Sequence, residues 1–173
     1  GKMHLIKVLD VPFGKFRDKG VPIDNYSNFE SAAERVVNVF ALSDILEDKL
    51  LFATKTGMVK VVAGAEFDVA KKTIASTKLA DEDEVIGVFK LEKSEYVVLQ
   101  SKAGYFLKLA LSDIPEMKKT AVGNHGIKLN AKDEIESAYV FNKETSPTIT
   151  YKEKEMVLSS LKVAARNSKG TKK

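Results

Sequence analysis

The sequence contains no cysteine and no tryptophan, and only four of its 173 residues are proline. Without cysteine the chain can form neither a disulfide scaffold nor a thiolate metal site, and it has no thiol nucleophile. Its apolar runs stay well below the roughly 20 residues that a membrane-spanning helix requires. No charged and then apolar segment of the signal-peptide type opens the chain, so we expect a protein of a reducing cytoplasm.

What the sequence does contain is typical of a folded domain with a basic surface. Hydrophobic residues make up 44% of the chain and charged residues 30%, which excludes a disordered polymer. A length of 173 residues is enough for one domain with a core and hardly enough for two. The formal net charge of +4 is mildly basic and is compatible with a polyanionic partner.

Internal repeats are the most informative feature of the sequence. In the first recurring unit, a glycine is followed nine residues later by an acid and then by an apolar residue. The glycines are Gly1, Gly57 and Gly104, and the acids are Asp10, Glu66 and Asp113. A second unit recurs at residues 35–40, 84–89 and 134–139. A third unit, which precedes the second, recurs at residues 20–23, 73–76 and 126–129. The period is therefore just under 50 residues.

Each copy holds three or four short runs of branched and aromatic residues separated by turn-forming residues, which predicts strands. A four-stranded unit of this length has the size of a propeller blade, and one blade alone cannot bury both of its faces. We therefore predict a single all-β, propeller-like domain over residues 1–173, of three to four blades. The approximate copies are residues 1–47, 48–94, 95–142 and, in part, 143–173. Within the last copy we expect strands at 148–151 and 155–158, and we expect positive φ at Gly57 and Gly104.

Several segments resemble a known family. Residues 52–60, Phe-Ala-Thr-Lys-Thr-Gly-Met-Val-Lys, followed by Glu66 and Phe67, resemble the blade signature of the C-terminal domain of bacterial type IIA topoisomerase A subunits. Segments 83–88, 101–105 and 121–129 are similar to further blade segments of that family. The resemblance implies a β-pinwheel, which is a propeller-like ring whose blades exchange strands and whose basic rim binds and bends duplex DNA. It also implies that the chain is a fragment of a longer subunit.

The family includes DNA gyrase and topoisomerase IV, and the sequence departs from the gyrase pattern. Gyrase subunits carry a Gln-Arg-Arg-Gly-Gly-Arg-Gly box, for which residues 16–20 and 166–170 are only degenerate counterparts. About three and a half blades is also short for gyrase. Both departures favour topoisomerase IV and leave the two enzymes as alternatives.

The basic turns are the predicted DNA contacts, because lysine and arginine bind phosphates by displacing counterions. The turn after each acid–apolar pair carries at least two cations, in step with the repeat. These cations are Lys15, Arg17, Lys19, Lys71, Lys72, Lys118, Lys119, Arg166 and Lys169. A second set comprises the turn lysines Lys55 and Lys102 and the strand lysines Lys60 and Lys108. If binding depends on phosphate contacts and on how easily the DNA bends, we expect the domain to discriminate poorly between base sequences.

The resemblance also implies no catalytic residue, metal or cofactor in this domain, with magnesium and ATP needed only by the holoenzyme. The implied partners are double-stranded DNA, the ATPase B subunit, and the rest of the A subunit, with no membrane, in the nucleoid region of a bacterial cytoplasm. The alternative function is a propeller-like protein–protein interaction module. A small hydrolase is the least supported class, because no nucleophile elbow or phosphate-binding loop occurs and His4 and His125 have no metal-spaced partners.

Overall fold

The computed structural model describes all residues from Gly1 to Lys173, and the chain is built mainly of antiparallel strands joined by short turns. The strands are β1 (Lys2–His4), β2 (Lys49–Thr54), β3 (Met58–Ala63), β4 (Thr73–Ala75), β5 (Val85–Lys90), β6 (Tyr96–Ser101), β7 (Tyr105–Ala110), β8 (Asn124–His125), β9 (Ile135–Phe141), β10 (Thr148–Tyr151), β11 (Lys154–Val157) and β12 (Thr171–Lys172). The one α-helix is α1 (Leu42–Ile45), and 3-10 turns occupy Val8–Asp10, Ile23–Asn25, Gly64–Phe67, Leu111–Asp113 and Leu158–Ser160. The predicted all-β fold is confirmed.

Two four-stranded sheets form the centre of the structure, in the orders β5-β2-β3-β8 and β9-β6-β7-β12. Each sheet takes its first three strands from one repeat and its fourth strand from the following repeat. Strand β8 pairs with β3, with His125 opposite Met58, and β12 pairs with β7, with Lys172 opposite Tyr105. Strand β4 pairs in the same way with β1. The blades therefore exchange strands, as the resemblance implied.

Tight turns set the register of the two central hairpins. In both hairpins the glycine N–H donates to the carbonyl three residues earlier, from Gly57 to Thr54 (3.0 Å) and from Gly104 to Ser101 (2.9 Å). The expected positive φ is found at both glycines, 86° at Gly57 and 84° at Gly104. A type I turn followed by a left-handed residue requires this conformation, and glycine adopts it without steric cost.

The core consists of three apolar layers that alternate with the sheets. The largest layer lies between the two four-stranded sheets and includes Leu51, Val61, Val97 and Leu109. The opposite faces of these sheets are covered by two smaller clusters, centred on Phe52 and Phe67, and on Phe106, Phe141 and Leu158. Because both faces of β2 and β6 are buried, residues 50–53 and 96–99 within them form continuous apolar runs and do not alternate.

Residues 35–40 differ from the prediction. They match the sequences of β5 and β9, yet they form no strand. Strand β5 is held by β2, and β9 is held by β6. No strand equivalent to β2 accompanies residues 35–40 anywhere within residues 1–173, so their backbone has no ladder to join. Val36 and Val39 are accordingly 50% and 76% exposed.

The predicted hairpin of the last copy is confirmed to within one residue, as β10 and β11. Its turn residues, Lys152 and Glu153, both have positive φ, 49° and 64°. Two consecutive left-handed residues are the requirement of a type I′ hairpin turn, whose twist matches that of the flanking strands.

An aspartate caps each central hairpin turn, and the two caps differ by one hydrogen bond. Asp83 Oδ1 accepts from the Thr56 N–H (2.9 Å), and its Oδ2 accepts from the Thr56 hydroxyl (2.7 Å). At the equivalent turn, Asp133 Oδ1 accepts from the Ala103 N–H (3.0 Å). Ala103 has no hydroxyl, and Asp133 Oδ2 is buried without a hydrogen-bond partner. A buried acceptor without a donor destabilises the folded state.

We therefore expect Ala103→Thr to stabilise the protein by about 1 kcal/mol, because the new hydroxyl can donate to Asp133 Oδ2. Urea denaturation of the variant and the parent measures the difference in the free energy of unfolding. Thr56→Ala is the reciprocal control and should destabilise the first turn by a similar amount. An unchanged or lower stability of Ala103→Thr would show that Asp133 does not need this donor.

Candidate nucleic-acid interface

The exchanged strands determine where the predicted cations lie. Each exchanged strand is preceded by a crossover segment, by which we mean residues 68–72, 114–123 and 161–170, leading from a 3-10 turn to β4, β8 or β12. We call the sheet edge formed by an exchanged strand the outer edge, because the opposite edges, β5 and β9, contact each other. The crossover segments carry six of the predicted contacts, namely Lys71, Lys72, Lys118, Lys119, Arg166 and Lys169. Equivalent topology thus brings these cations to equivalent outer edges.

The second crossover segment shows how such a segment is attached. It runs beside β3, where the Val61 N–H donates to Pro115 O (3.3 Å) and Val61 O accepts from the Met117 N–H (2.8 Å). The chain then turns at residues 118–121 and returns as β8. In the third crossover segment, Lys108 O accepts from the Ala164 N–H (2.9 Å). The outer edge of each central hairpin is therefore capped by a cationic loop.

The first predicted group is placed differently. Lys15, Arg17 and Lys19 are exposed and lie in an irregular stretch that joins no sheet. Asp18 Oδ2 accepts from the Lys15 N–H (2.6 Å) and closes a local turn. The structure does not bring these three cations to an outer edge.

The cations differ in whether an acid neutralises them. Lys71, Lys72 and Lys169 are exposed and have no carboxylate within 4 Å. Lys118 Nζ lies 3.3 Å from Glu66 Oε1, although its side chain is 82% exposed. An acid paired with a lysine reduces the field that a phosphate would meet, so the unpaired cations are the stronger candidates.

The two turn lysines of the second set share one acid. Glu134 lies 2.6 Å from Lys102 Nζ and 3.2 Å from Lys55 Nζ, joining the turns of neighbouring blades. The hydrogen bonds from Lys102 and then from Lys55 lower the pKa of Glu134, so the carboxylate stays ionised. Lys55 and Lys102 are therefore held by an interblade ion pair and are weaker candidates for DNA contact.

The prediction that Lys60 and Lys108 contact DNA is wrong, because both side chains are buried, at 1% and 7% exposure. Lys60 Nζ donates to the carbonyls of Lys119 (2.8 Å) and Ala121 (2.6 Å). Lys108 Nζ donates to Ser159 O (2.9 Å) and lies 4.3 Å from the centre of the Tyr96 ring. Burial lowers the pKa of Lys60 to about 8, although a protonated ammonium suits its carbonyl partners.

Sequence reasoning missed two cations beside the third crossover segment. Lys172 lies on β12, and its Nζ is 5.7 Å from the centre of the Tyr105 ring. Lys169 Nζ lies 5.3 Å from the centre of the same ring. Lys152 Nζ donates to Lys173 O (2.8 Å). Neither Lys169 nor Lys172 has an acidic side chain within 4 Å of its ammonium group. The basic end of the chain was visible in the sequence, and placing Lys172 opposite Tyr105 required the strand pairing.

Strand-exchanged blades with a cationic outer edge define a propeller-like pinwheel. A family model described as the DNA gyrase C-terminal domain, beta-propeller, matches residues 48–92 and 95–142, which is more than half of the chain. The chain belongs to this family.

Comparison with relatives agrees with this assignment. The DNA gyrase A subunit of Lawsonia intracellularis is 29% identical over 171 residues, covering 97% of this chain and 20% of that protein. The DNA gyrase A subunit of Haemophilus influenzae is 32% identical over 137 residues, covering 78% of this chain and 16% of that protein. The chain thus spans a fifth or less of the length of these relatives.

Solved structures share the fold. The C-terminal domain of DNA topoisomerase IV superposes with a TM-score of 0.66 at 23% identity, over 73% of this chain and 41% of that one. The E. coli ParC C-terminal domain gives a TM-score of 0.63 at 20% identity, over 74% and 56%. No helix of the present structure has the length and apolar character needed to cross a membrane.

Burial of Lys60 generates a prediction about pH. The ordinary lysine pKa of 10.5 falls to about 8 in the folded protein. Between these two values the unfolded chain binds more protons than the folded one, so the free energy of unfolding contributed by Lys60 rises with pH. Relative to Lys60→Met, the parent should gain up to about 3 kcal/mol between pH 8 and 10.5. Urea denaturation at pH 7.5, 9 and 10 tests this, and parallel profiles of the two proteins would contradict it.

Proposed function

We propose that this chain binds duplex DNA along its outer edges and bends it, as the non-catalytic DNA-binding domain of a type IIA topoisomerase A subunit. The observation that carries the proposal is the recurrence of cations on the crossover segments, in step with the exchanged strands. Two exposed lysines precede β4, at Lys71 and Lys72, and Lys169 and Lys172 flank the start of β12. Family membership supports the same function.

Electrostatics gives the proposed mechanism. Duplex DNA carries about one phosphate charge per 1.7 Å of helix axis, so cations placed on successive blades contact successive stretches of backbone. Blades are rotated relative to one another around their common axis, and a duplex that follows their outer edges is therefore curved. Bending a short duplex by 40–90° costs about 1–6 kcal/mol, which additional phosphate contacts offset. Contacts of this kind do not read base sequence.

The role within a whole topoisomerase follows from the same proposal. The chain captures a DNA segment and presents it for ATP-dependent strand passage, which the ATPase B subunit together with the rest of the A subunit carries out. In this account the catalytic groups, the magnesium and the ATP belong to those other parts, and the holoenzyme acts in the bacterial cytoplasm, at the nucleoid. Whether the holoenzyme is a gyrase or a topoisomerase IV is decided by the remainder of the protein.

Salt dependence tests the proposed function. If two cations at each of three outer edges engage phosphates, the logarithm of the binding constant should fall against the logarithm of salt concentration with a slope of about −5. Fluorescence anisotropy with a duplex of about 40 base pairs, long enough to cross several blades, gives this slope. End-labelled duplex should show increased energy transfer on binding, because bending shortens the end-to-end distance. Absent binding at low salt would refute the proposal, and binding without increased transfer would refute bending.

Substitution of paired cations tests the location of the interface. Lys71→Gln/Lys72→Gln and Lys169→Gln/Lys172→Gln should each reduce the salt slope by about 2, equally for duplexes of different sequence. Lys93→Gln/Lys143→Gln is the matched control, since it removes two exposed lysines without an acid partner from the residues that follow β5 and β9, away from the outer edges. An equal loss in the control would mean that only net charge matters, and an unchanged slope in both test variants would place the interface elsewhere.

Protein docking is the second candidate function, and one observation favours it. Leu9, Phe13 and Phe16 are almost fully exposed, at 97%, 97% and 105%. Exposed apolar side chains of this size are typical of protein interfaces. The DNA titration separates the two functions, because an interaction module would show no steep salt-dependent affinity for duplex DNA.

A further inference from the structure

One strand position beside the outer edge is occupied by a different type of residue in each of three blades. The residues three positions after Gly1, Gly57 and Gly104 are His4, Lys60 and Leu107. They lie on β1, β3 and β7, the strands that pair with the exchanged strands β4, β8 and β12. Leucine at this position in one blade shows that an apolar side chain satisfies its packing. A buried ammonium at Lys60 therefore requires another explanation, since burying a charge is costly.

All hydrogen bonds of the Lys60 ammonium go to one turn. Its Nζ donates to the carbonyls of Lys119 at 2.8 Å, Ala121 at 2.6 Å and, more weakly, Lys118 at 3.4 Å. These residues form the tip of the second crossover segment, which carries two of the predicted DNA contacts. The ammonium thus holds the backbone of a cationic turn from the side of the sheet.

Glu66 holds the same turn through different atoms. Its Oε2 accepts from the Lys119 N–H (2.9 Å), and its Oε1 lies 3.3 Å from Lys118 Nζ. The Lys119 ammonium donates to the Glu66 carbonyl (2.6 Å). The carbonyls of the turn therefore face Lys60, while one N–H and both ammonium groups face Glu66. The backbone of residues 118–121 is fixed by contacts of both kinds.

The equivalent position in the first blade also carries a polar residue, whose side chain contacts the exchanged strand itself. His4 Nδ1 lies 3.2 Å from the hydroxyl of Thr73, the residue that follows Lys71 and Lys72, and the Leu5 N–H donates to Lys72 O (2.7 Å). In the blade with Leu107 no polar side chain occupies this position, and the buried Lys108 reaches Ser159, outside the third crossover segment. Of the three residues at this position, only Lys60 therefore reaches a crossover segment with its side chain.

We infer that Lys60 is a positioning residue, whose three carbonyl contacts fix the backbone of the turn 118–121 and so keep Lys118 and Lys119 at the outer edge, within reach of bound DNA. The inference rests on the proposed DNA-binding function. A positioned pair of cations loses less conformational freedom on binding than a mobile pair, so removing the contacts should weaken DNA binding without removing any surface charge.

A double-mutant cycle tests this role. Lys60→Met has similar length and no donor, and it should weaken binding of a 40-base-pair duplex about 3–10-fold in the parent. In a Lys118→Gln/Lys119→Gln background the same substitution should change affinity by less than about 1.5-fold, because the cations that it positions are gone. Equal losses in both backgrounds would show a general structural effect and overturn the inference.

The next blade provides the matched control. Lys108→Met removes another buried ammonium whose side-chain bond reaches only Ser159. It should show no coupling to Lys118→Gln/Lys119→Gln. Coupling as large as that of Lys60→Met would mean that loss of any buried lysine disturbs the turn.

Two further measurements keep the inference testable if Lys60→Met folds poorly. Lys60→Gln keeps N–H donors and should retain part of the affinity lost in Lys60→Met. Hydrogen exchange of the free protein should be faster at the amides of Lys119 and Ala121 in Lys60→Met, with the core strands unchanged. Unchanged exchange at these amides would show that Lys60 does not fix the turn and would overturn the inference. Failure of the parent to bind DNA would instead refute the proposed function and leave the exchange result standing.

Discussion

The pairing of each outer sheet edge with a strand of the following repeat is the constraint on which the structure depends. A β-edge presents a row of N–H and C=O groups that must be satisfied. In the first complete blade, β3 meets this requirement with β8 and with the hydrogen bonds of Val61 to Pro115 and Met117. The same backbone pairing that closes the edge draws a cationic loop onto it. Structure and proposed function therefore arise from one set of hydrogen bonds.

Packing reinforces this arrangement. The strands of the central hairpins are covered on both faces, so each repeat buries its apolar side chains only against its neighbours. Several charged side chains also join neighbouring repeats. Glu134 joins the turns of adjacent blades through Lys55 and Lys102, and Lys60 joins a strand to the crossover segment of the next repeat. At the outer edges, Lys71, Lys72, Lys169 and Lys172 are left without an acid partner.

The sequence periodicity was sufficient to predict the fold class and the central hairpins, because short apolar runs, turn glycines and capping acids recur together. It could not predict which recurring segments become strands. Residues 35–40 share the sequence pattern of β5 but lack a partner equivalent to β2, and a strand requires its neighbour. Strand exchange leaves no local signal in the sequence, since β8 and β12 are two-residue strands defined by the strands that they pair with.

The candidate site was predictable in part, since the cationic turns track the repeat. A strand lysine such as Lys60 or Lys108, however, has the same sequence signature whether its ammonium points to solvent or to a buried carbonyl. Lys172 and Lys152 were missed because their position beside Tyr105 and Lys173 depends on strand pairing between repeats.

Cysteine cross-linking tests strand exchange most directly, because the chain has no cysteine of its own. Met58 and His125 are directly opposite in the β3–β8 ladder. Opposed residues have Cβ atoms about 4.5–5.5 Å apart, close enough for a disulfide to form with a small adjustment. If β8 instead returned to its own repeat, His125 would lie opposite Tyr105. We expect Met58→Cys/His125→Cys to form an intramolecular disulfide under mild oxidation while Tyr105→Cys/His125→Cys stays reduced, and the reverse result would contradict the account.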